Sequence, residues 1–561
     1  MSVVPRNARY NVLPMGIPSQ RRSVRQGVQT GNEFKPNGSK IIRINLPQQS
    51  YLDCANTYLT FRHKITNEND NLQTTVATAL NAGNNNEICM DNGAFSWIRN
   101  IQVQGADGSV LENIQNFNLL SRVLHRATQP NDHNESSASI IQGYGDITSR
   151  QSWGCNTEGR VYAIQLSASG LLSNSKYIPL KYLQGGLTLQ IELEDFAKCH
   201  QAPNANFSYL INNVYLHMDL CDFSDEFDAM FRNQLASEGV NIHFDTYSSH
   251  IDTLSDGSQN ETHLEISERA SSVKSVYSVT RATASMNNAG SDSLGTWTSR
   301  ELKKYRFTLG TTDYPRYEVD CTGGGAIAYT EMLKGFGTLG DINGGSEIDY
   351  NSWRAQTSAS CNKKLEIQYI EVISSVGKLA AGTRTTARIV FQGKHGLTSG
   401  SNAALTGSYI TISNCAVNSF NASGALGAND PTGDNLGGWI VDAVVSDNCV
   451  IAERVRSIKG TDPAVSYSAG TAAAIGLVAF QGTAEYVSAA GDGGDVRFML
   501  AQNFENHFEN QILQTGVSAS GAVPLALTLD HATGTACQVN TFVHSDKMLT
   551  IGADGLASVS V

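Results

Sequence analysis

The residue types that could do chemistry are all present in this 561-residue chain, but none stands in a catalytic spacing. A serine nucleophile needs a sharp elbow of the form G-x-S-x-G, and the nearest approach, Gly516-Val517-Ser518-Ala519-Ser520, fails at its last position. The twelve histidines contain no H-E-x-x-H pair to hold zinc on one helical face. His507 lies two residues from Glu509, a spacing that on one strand or loop reads as a surface pair. Glu192 and Glu194 alternate along a strand and read as its wet face, not as an acid–base couple. Gly335, Gly337 and Gly340 satisfy G-x-G-x-x-G, which cradles a pyrophosphate only between a strand and a helix; here it follows a helix and enters a loop. Asp341, Asn343 and Glu347 could offer hard oxygen ligands to calcium, but the EF-hand set is incomplete and such runs ordinarily make turns. No catalytic, cofactor or metal residue is assigned on these grounds, and the chain is read as a non-enzyme.

Charge is placed more deliberately. Residues 1–40 hold Arg6, Arg9, Arg21, Arg22, Arg25, Lys35 and Lys40 against Glu33 alone. The formal net charge is −12, so an arm at +6 leaves a body at −18. An acidic body is a poor ligand for nucleic acid, whereas a basic arm without hydrophobic period is an interaction tail. Arg6, Arg9, Arg21, Arg22 and Arg25 are therefore the candidate contacts to a genome, an inner membrane or a neighbouring protein. The ten cysteines form no C-x-x-C pair and read as small buried hydrophobes. No run approaches the ~18 apolar residues of a membrane span, and Met1–Tyr10 has no apolar signal core.

Strands must position whatever these residues do. Leu187, Leu189, Ile191 and Leu193 alternate strictly with polar residues, as do Val214, Leu216, Met218 and Leu220. Such alternation buries one face of an antiparallel sheet. The spacing of Ile114, Phe117, Leu120, Val123 and Leu124 predicts a helix over 113–126 that packs on a sheet. Ser224 is the expected cap of a second helix, with Phe227, Met230, Phe231 and Leu235 as its apolar face and Gly239 as its stop. The strand Val240, Ile242 and Phe244 then reads as the exit of the first half.

The second half repeats this layout. Strand signals at Val273–Val279 and Tyr305–Leu309 lead to a helix over 326–333 and later to Leu525, Leu527 and Leu529 in alternation. A final pair of strands is expected around Val539–Phe542 and Met548–Ile551. A Pro-Leu step precedes a strand in each half, at Pro179-Leu180 and Pro524-Leu525. Only the distance from helix to step differs, and the excess in the second half is the size of a small domain. Residues 366–480, rich in Gly, Ala, Ser and Thr, are its expected site. The expected fold is all-β: two tandem eight-stranded antiparallel jelly rolls with short helices, plus an inserted small β domain in the second roll. Its segments are a flexible arm (1–40), a first roll (41–247), a second roll (248–365 and 481–561) and an inserted module (366–480).

This order resembles the double jelly-roll major capsid proteins of adenoviruses, tectiviruses, virophages and nucleocytoplasmic large DNA viruses. Phe95-Ser-Trp-Ile-Arg-Asn-Ile-Gln-Val-Gln-Gly-Ala-Asp-Gly-Ser-Val-Leu is similar to the strand-turn-strand that precedes the first-roll helix, and Tyr177-Ile-Pro-Leu with Gly185-Gly-Leu-Thr-Leu-Gln-Ile-Glu-Leu is similar to the family's loop and following strand. The resemblance implies a homotrimer of pseudo-hexagonal outline that tiles an icosahedral capsid, assembled inside the host cell and located in the virion. It further implies contacts with neighbouring capsomers and with minor capsid or penton proteins, and an outward tower for the inserted module. Lys394-His-Gly-Leu-Thr-Ser-Gly and Gly438-Trp-Ile-Val-Asp-Ala in that module resemble small β modules of phage tail and fibre proteins. The competing expectation is a carbohydrate-binding or adhesin β-sandwich, which needs an exposed aromatic platform.

Overall fold

The computed structural model describes residues 18–67, 89–130, 137–144, 159–201, 207–255, 261–283, 293–295, 297–300, 302–322, 325–339, 362–379, 382–392, 409–413, 439–446, 449–454, 478–480, 483–487, 497–505, 516–519, 524–531 and 536–560, with Met286, Ile348 and Trp353 placed singly. It divides into two compact units, residues 1–349 with 497–561, and residues 350–496.

The first unit opens with eight principal strands, β1 (Ser19–Gly27), β2 (Ile41–Asn45), β3 (Tyr51–Asn67), β4 (Ile98–Gln104), β5 (Val110–Ile114), β6 (Arg160–Ile164), β7 (Thr188–Leu193) and β8 (Phe207–Phe223), with short strands at Glu33–Phe34, Cys89–Ala94 and His200–Gln201 beside them. Helix α1 (Phe117–Thr128) lies between β5 and β6, and α2 (Asp225–Glu238) follows β8. The next eight are β9 (Val240–Leu254), β10 (Glu261–Ile266), β11 (Val273–Ala282), β12 (Leu302–Leu309) and β13 (Thr312–Asp320), then β21 (Leu500–Asn503), β22 (Leu525–His531) and β23 (Cys537–Ile551), numbered past the seven strands of the second unit. Helix α3 (Ala326–Gly335) follows β13 as α1 follows β5.

In the first set one sheet runs β1-β8-β3-β6 and the other β2-β7-β4-β5. In the second set the sheets run β9-β23-β11-β21 and β10-β22-β12-β13. Counted from one to eight within each set, both read 1-8-3-6 and 2-7-4-5. That is the double Greek-key order of a jelly roll, made twice. The chain is a double jelly roll.

The period-two pattern explains why these residues form these strands. In β7 every second side chain (Leu189, Ile191, Leu193) is buried while Thr188, Gln190 and Glu192 are partly open. Phe61, Trp97, Ile101 and Leu216 fill the first roll, and Phe307, Leu527, Val539 and Leu549 the second. Cys54, Cys199, Cys221, Cys321, Cys449 and Cys537 are buried, as small hydrophobes.

The second unit contributes β14 (Asn362–Leu379), β15 (Gly382–Phe391), β16 (Tyr409–Ser413), β17 (Trp439–Ser446), β18 (Cys449–Arg454), β19 (Val478–Phe480) and β20 (Thr483–Val487). Its sheet runs β15-β18-β17-β16-β20-β14, and β14 pairs back onto β15, so six strands close on themselves, with β19 added on β14. Closure removes the open sheet edges that invite aggregation. Ile367, Ile370, Phe391, Ile412 and Trp439 belong to a core of the unit's own. It sits in the same connection that carries α1 in the first roll, between the fifth and sixth strands.

Four boundaries differ from those expected. Ser19–Gly27, assigned to the flexible arm, is the first strand of the first roll. Val240–Leu254, read as that roll's exit, is the first strand of the second roll. The expected final pair of strands is one continuous strand, Cys537–Ile551, because the whole of β9 runs alongside it from Val240↔Ile551 to Leu254↔Cys537. The strands of the inserted module span 362–487, not 366–480.

Candidate assembly surfaces

Three of the arm arginines, Arg21, Arg22 and Arg25, lie on β1. Arg21 pairs with Asp219 and, at 3.1 Å, with Asp53. Arg22 reaches Asp222 at 3.6 Å and donates to Ser50 Oγ at 2.9 Å. The Arg25 guanidinium lies 4.4 Å from the centre of the Tyr215 ring. All three contact neighbouring segments of their own roll, β8 and the start of β3. Arg21 and Arg22 remain 49% and 45% exposed; Arg6 and Arg9 lie outside the described residues. Asp341, Asn343, Glu347 and Gly340 lie there too, as do His507 and Glu509.

The two rolls share a flank, and its centre is Glu112 on β5, a carboxylate only 2% exposed. It accepts from Ser169 Oγ at 2.5 Å and Gly170 N at 2.9 Å within the first roll, and from Thr246 Oγ1 on β9 of the second roll at 3.1 Å. Burial pushes its pKa up, and these hydrogen bonds oppose that shift. Asn116 donates to Ser249 Oγ at 3.0 Å, and Asn174 to the His243 carbonyl at 2.8 Å. Arg126, at the last turn of α1 and 0% exposed, donates to the Gly295 carbonyl at 3.0 Å and lies 4.5 Å from the Trp297 ring centre.

The fit is close at Gly170. A Cβ there would stand 1.5 Å from the Asp245 carbonyl oxygen, a backbone atom of the other roll. Gly170→Ala is therefore expected to part the rolls locally and to cost about 2–3 kcal/mol, read as a lower denaturation midpoint. A midpoint equal to that of the wild type would show that the flank is not tightly packed.

Beside this flank stands a polar cluster. Asp245 on β9 and Asp546 on β23 are directly opposed in register. Like charges so placed repel, and the surroundings answer that repulsion. Lys274 Nζ lies 3.1 Å from Asp245 and 3.6 Å from Asp546, His544 Nε2 lies 3.5 Å from Asp245, and Ser272 Oγ donates to Asp546 at 2.7 Å. Burial raises the Asp546 pKa; at Asp245 burial acts the same way, but His544 and Lys274 outweigh it and hold the carboxylate below its usual range. His243, Asp245 and Asp546 could hold a metal ion by spacing, yet the Lys274 ammonium already stands where a cation would. The cluster reads as structural.

Met230, expected on the buried face of α2, is 72% exposed; Leu235 is the buried member, while Phe227 and Phe231 pack edgewise against Tyr51. Ser224 does cap that helix by accepting from Phe227 N, and Gly239 ends it with φ +73°. Glu194, expected on the wet face of its strand, is 6% exposed and held by Asn118 and the Asp195 amide. Among the described residues no helix is long and apolar enough to cross a membrane.

No family model matches the chain, and no curated protein matches it in sequence. Solved structures do align with it. A chain of the quasi-atomic model of the PBCV-1 virus capsid aligns over 98% of both chains at 8% identity and TM-score 0.49. The Faustovirus major capsid protein aligns over 98% of this chain and 92% of its own, at 8% identity and TM-score 0.41. The mavirus major capsid protein aligns over 100% and 93%, at 9% identity and TM-score 0.41. The duplicated strand order, not these scores, carries the fold.

Proposed function

We propose that this chain is a major capsid protein whose three copies close into a pseudo-hexagonal capsomer tiling the icosahedral shell of a DNA virus. The observation that carries this reading is the repeated 1-8-3-6 and 2-7-4-5 order with a flank shared side by side. One chain then supplies two similar neighbours in a ring, and three chains supply six. Neighbouring capsomers and minor capsid or penton proteins are the partners in this reading, and the virion shell is its location. The basic arm, with Arg6, Arg9, Arg21, Arg22 and Arg25, is the part that contacts genome, inner membrane or neighbour in this reading. No catalytic role is assigned.

The carbohydrate-binding alternative loses its platform. Trp97, Trp297, Trp353 and Trp439 are each no more than 1% exposed; Trp153 lies outside the described residues. Light scattering on the purified protein should give three times the 60.3 kDa chain mass. Monomer alone at micromolar concentration would overturn the proposal.

A further inference from the structure

The first roll holds a cavity of about 120 Å³ that neither the shared flank nor the assembly reading uses. One wall is the last half of α1, where Ser121, His125 and Thr128 fall on a single helical face at i, i+4 and i+7. Arg126, next to His125, points instead to the second roll. Opposite stand Gln142 and Tyr144, which follow the short helix Ser137–Ile141, and Phe95, directly after the short strand Cys89–Ala94.

The lining is polar in a particular way. Ser121 is 9% exposed, and its Oγ has no hydrogen-bond partner among the described residues. A helical hydroxyl can turn back to the carbonyl four residues earlier; Thr128 does so to Leu124 at 2.7 Å, whereas Ser121 does not. A guest that pairs with this orphan removes a buried desolvation penalty. His125 and Tyr144 stack with ring centres 3.8 Å apart at 7° and make a flat wall, fixed by the Tyr144 hydroxyl donating to Asn92 Oδ1 at 2.7 Å. Gln129 and Gln142 bring carboxamides, each able to donate and accept at once. Among the described residues no carboxylate, ammonium or guanidinium lines the space. It lies at the C-terminal end of α1, the negative end of the helix dipole, which disfavours an anion. A cavity of about 150 Å³ takes one benzene ring, so this one has room for a single ring and not for two fused ones.

We propose that this cavity binds an uncharged six-membered ring with hydrogen-bond donors and acceptors along its edge, the chemistry of a pyrimidine base, free or as a nucleoside. The ring lies against His125 and Tyr144, and its edge meets Ser121 Oγ and the Gln142 carboxamide, a group that elsewhere reads base edges in pairs of hydrogen bonds. Exposed Thr128 and Ser167 mark the mouth, where a ribose projects. The site lies within one roll, so it stands or falls apart from the trimer reading. Because α1 carries both the cavity wall and Arg126, an occupant stabilises the helix that holds the flank, in proportion to its concentration.

The test is saturation-transfer NMR and thermal melting of the full chain with cytosine, cytidine, cytidine monophosphate and benzene. For cytosine or cytidine a Kd on the order of 0.1–1 mM is expected, the range open to so small a ligand. Binding by the free base alone assigns that source, and binding by both assigns the nucleoside as well; either supports the proposal. Ser121→Ala should weaken binding about tenfold, the loss of one hydrogen bond. The same variant should melt no lower than wild type, because alanine removes an orphan hydroxyl and favours the helix, so lost binding is not lost fold. Leu124→Trp, which fills the cavity from α1, should abolish binding; if it fails to fold, Ser121→Ala decides alone. No signal and no melting shift with cytosine or cytidine at about 10 mM, well above the expected Kd, would mean that the cavity holds water only and would overturn the proposal. Unchanged affinity in Ser121→Ala, benzene bound as tightly as cytosine, or the monophosphate bound more tightly than cytidine would each overturn it too.

Discussion

Arg126→Ala should be among the most damaging single changes in the double roll, lowering its stability by about 3–5 kcal/mol. The guanidinium is 0% exposed, and it spans from α1 of one roll to the Gly295 carbonyl and Trp297 ring of the other. Truncation leaves a buried carbonyl short of a donor, opens a cavity and removes the cation from the indole face. Arg126→Lys should not restore stability, because an ammonium can neither stack as a plane nor donate along a fixed fork. Urea denaturation followed by tryptophan fluorescence measures both. An alanine variant within about 0.5 kcal/mol of wild type would mean that the flank is not held by this residue.

Acid should loosen the first roll through a buried histidine pair. His63 and His200 are buried, with Nε2 atoms 2.9 Å apart and rings stacked, so one imidazole donates and the other accepts. Burial lowers the His63 pKa to about 3, and burial together with His63 holds His200 well below the ordinary value. An unfolded histidine takes its proton near pH 6.5, so below that pH the unfolded chain binds protons that the folded chain refuses. Stability from this pair is therefore complete above pH 6.5 and falls with acidification, by about 1.4 kcal/mol per pH unit for each histidine until the folded pKa is reached. Glu268 is shifted in the same direction, and so has the same acid sensitivity, though from a different cause. Burial raises its pKa, yet His250 and Ser248 outweigh that and bring it to about 2, so its contribution disappears between the ordinary 4.5 and 2. Denaturation midpoints at pH 7.5, 5.5 and 4.5 should decline steadily, with a shallower slope in a His63→Phe, His200→Phe variant. A wild-type midpoint constant across that range would refute the assignment of a neutral buried pair.

Most strands were legible because alternation leaves a period-two trace wherever one face is buried. The step Pro179-Leu180 and its twin Pro524-Leu525 both precede the seventh strand of a roll, and the size excess between α3 and Pro524 correctly reported an inserted β module. Where alternation is weak the reading failed. In β1 no residue is fully buried and, of the half-buried Val24, Gln26 and Gly27, only Val24 has an apolar side chain, so this edge strand reads as a tail. Alternation runs unbroken through Val240–Phe244 in either roll, so it could not say to which roll β9 belonged. That choice is made by pairing along the whole of β23.

The candidate site shows the same division. Arginines 21, 22 and 25 are conspicuous as charge, but only the register of β1 against β8 brings Asp219 and Asp222 to them. Glu112, Gly170 and Arg126 carry no sequence signal at all. Their importance comes from lying where two distant segments meet, and local pattern holds no information about that.

The sequence by itself determined the class of the protein: alternating strands in two similar runs, an extra module in the second, and no assembled catalytic spacing. These follow from periodicity and composition, which are local properties of a chain. Tertiary structure alone decided which strands pair, which flank the rolls share and which edges remain bare, because those depend on contacts between residues up to hundreds of positions apart.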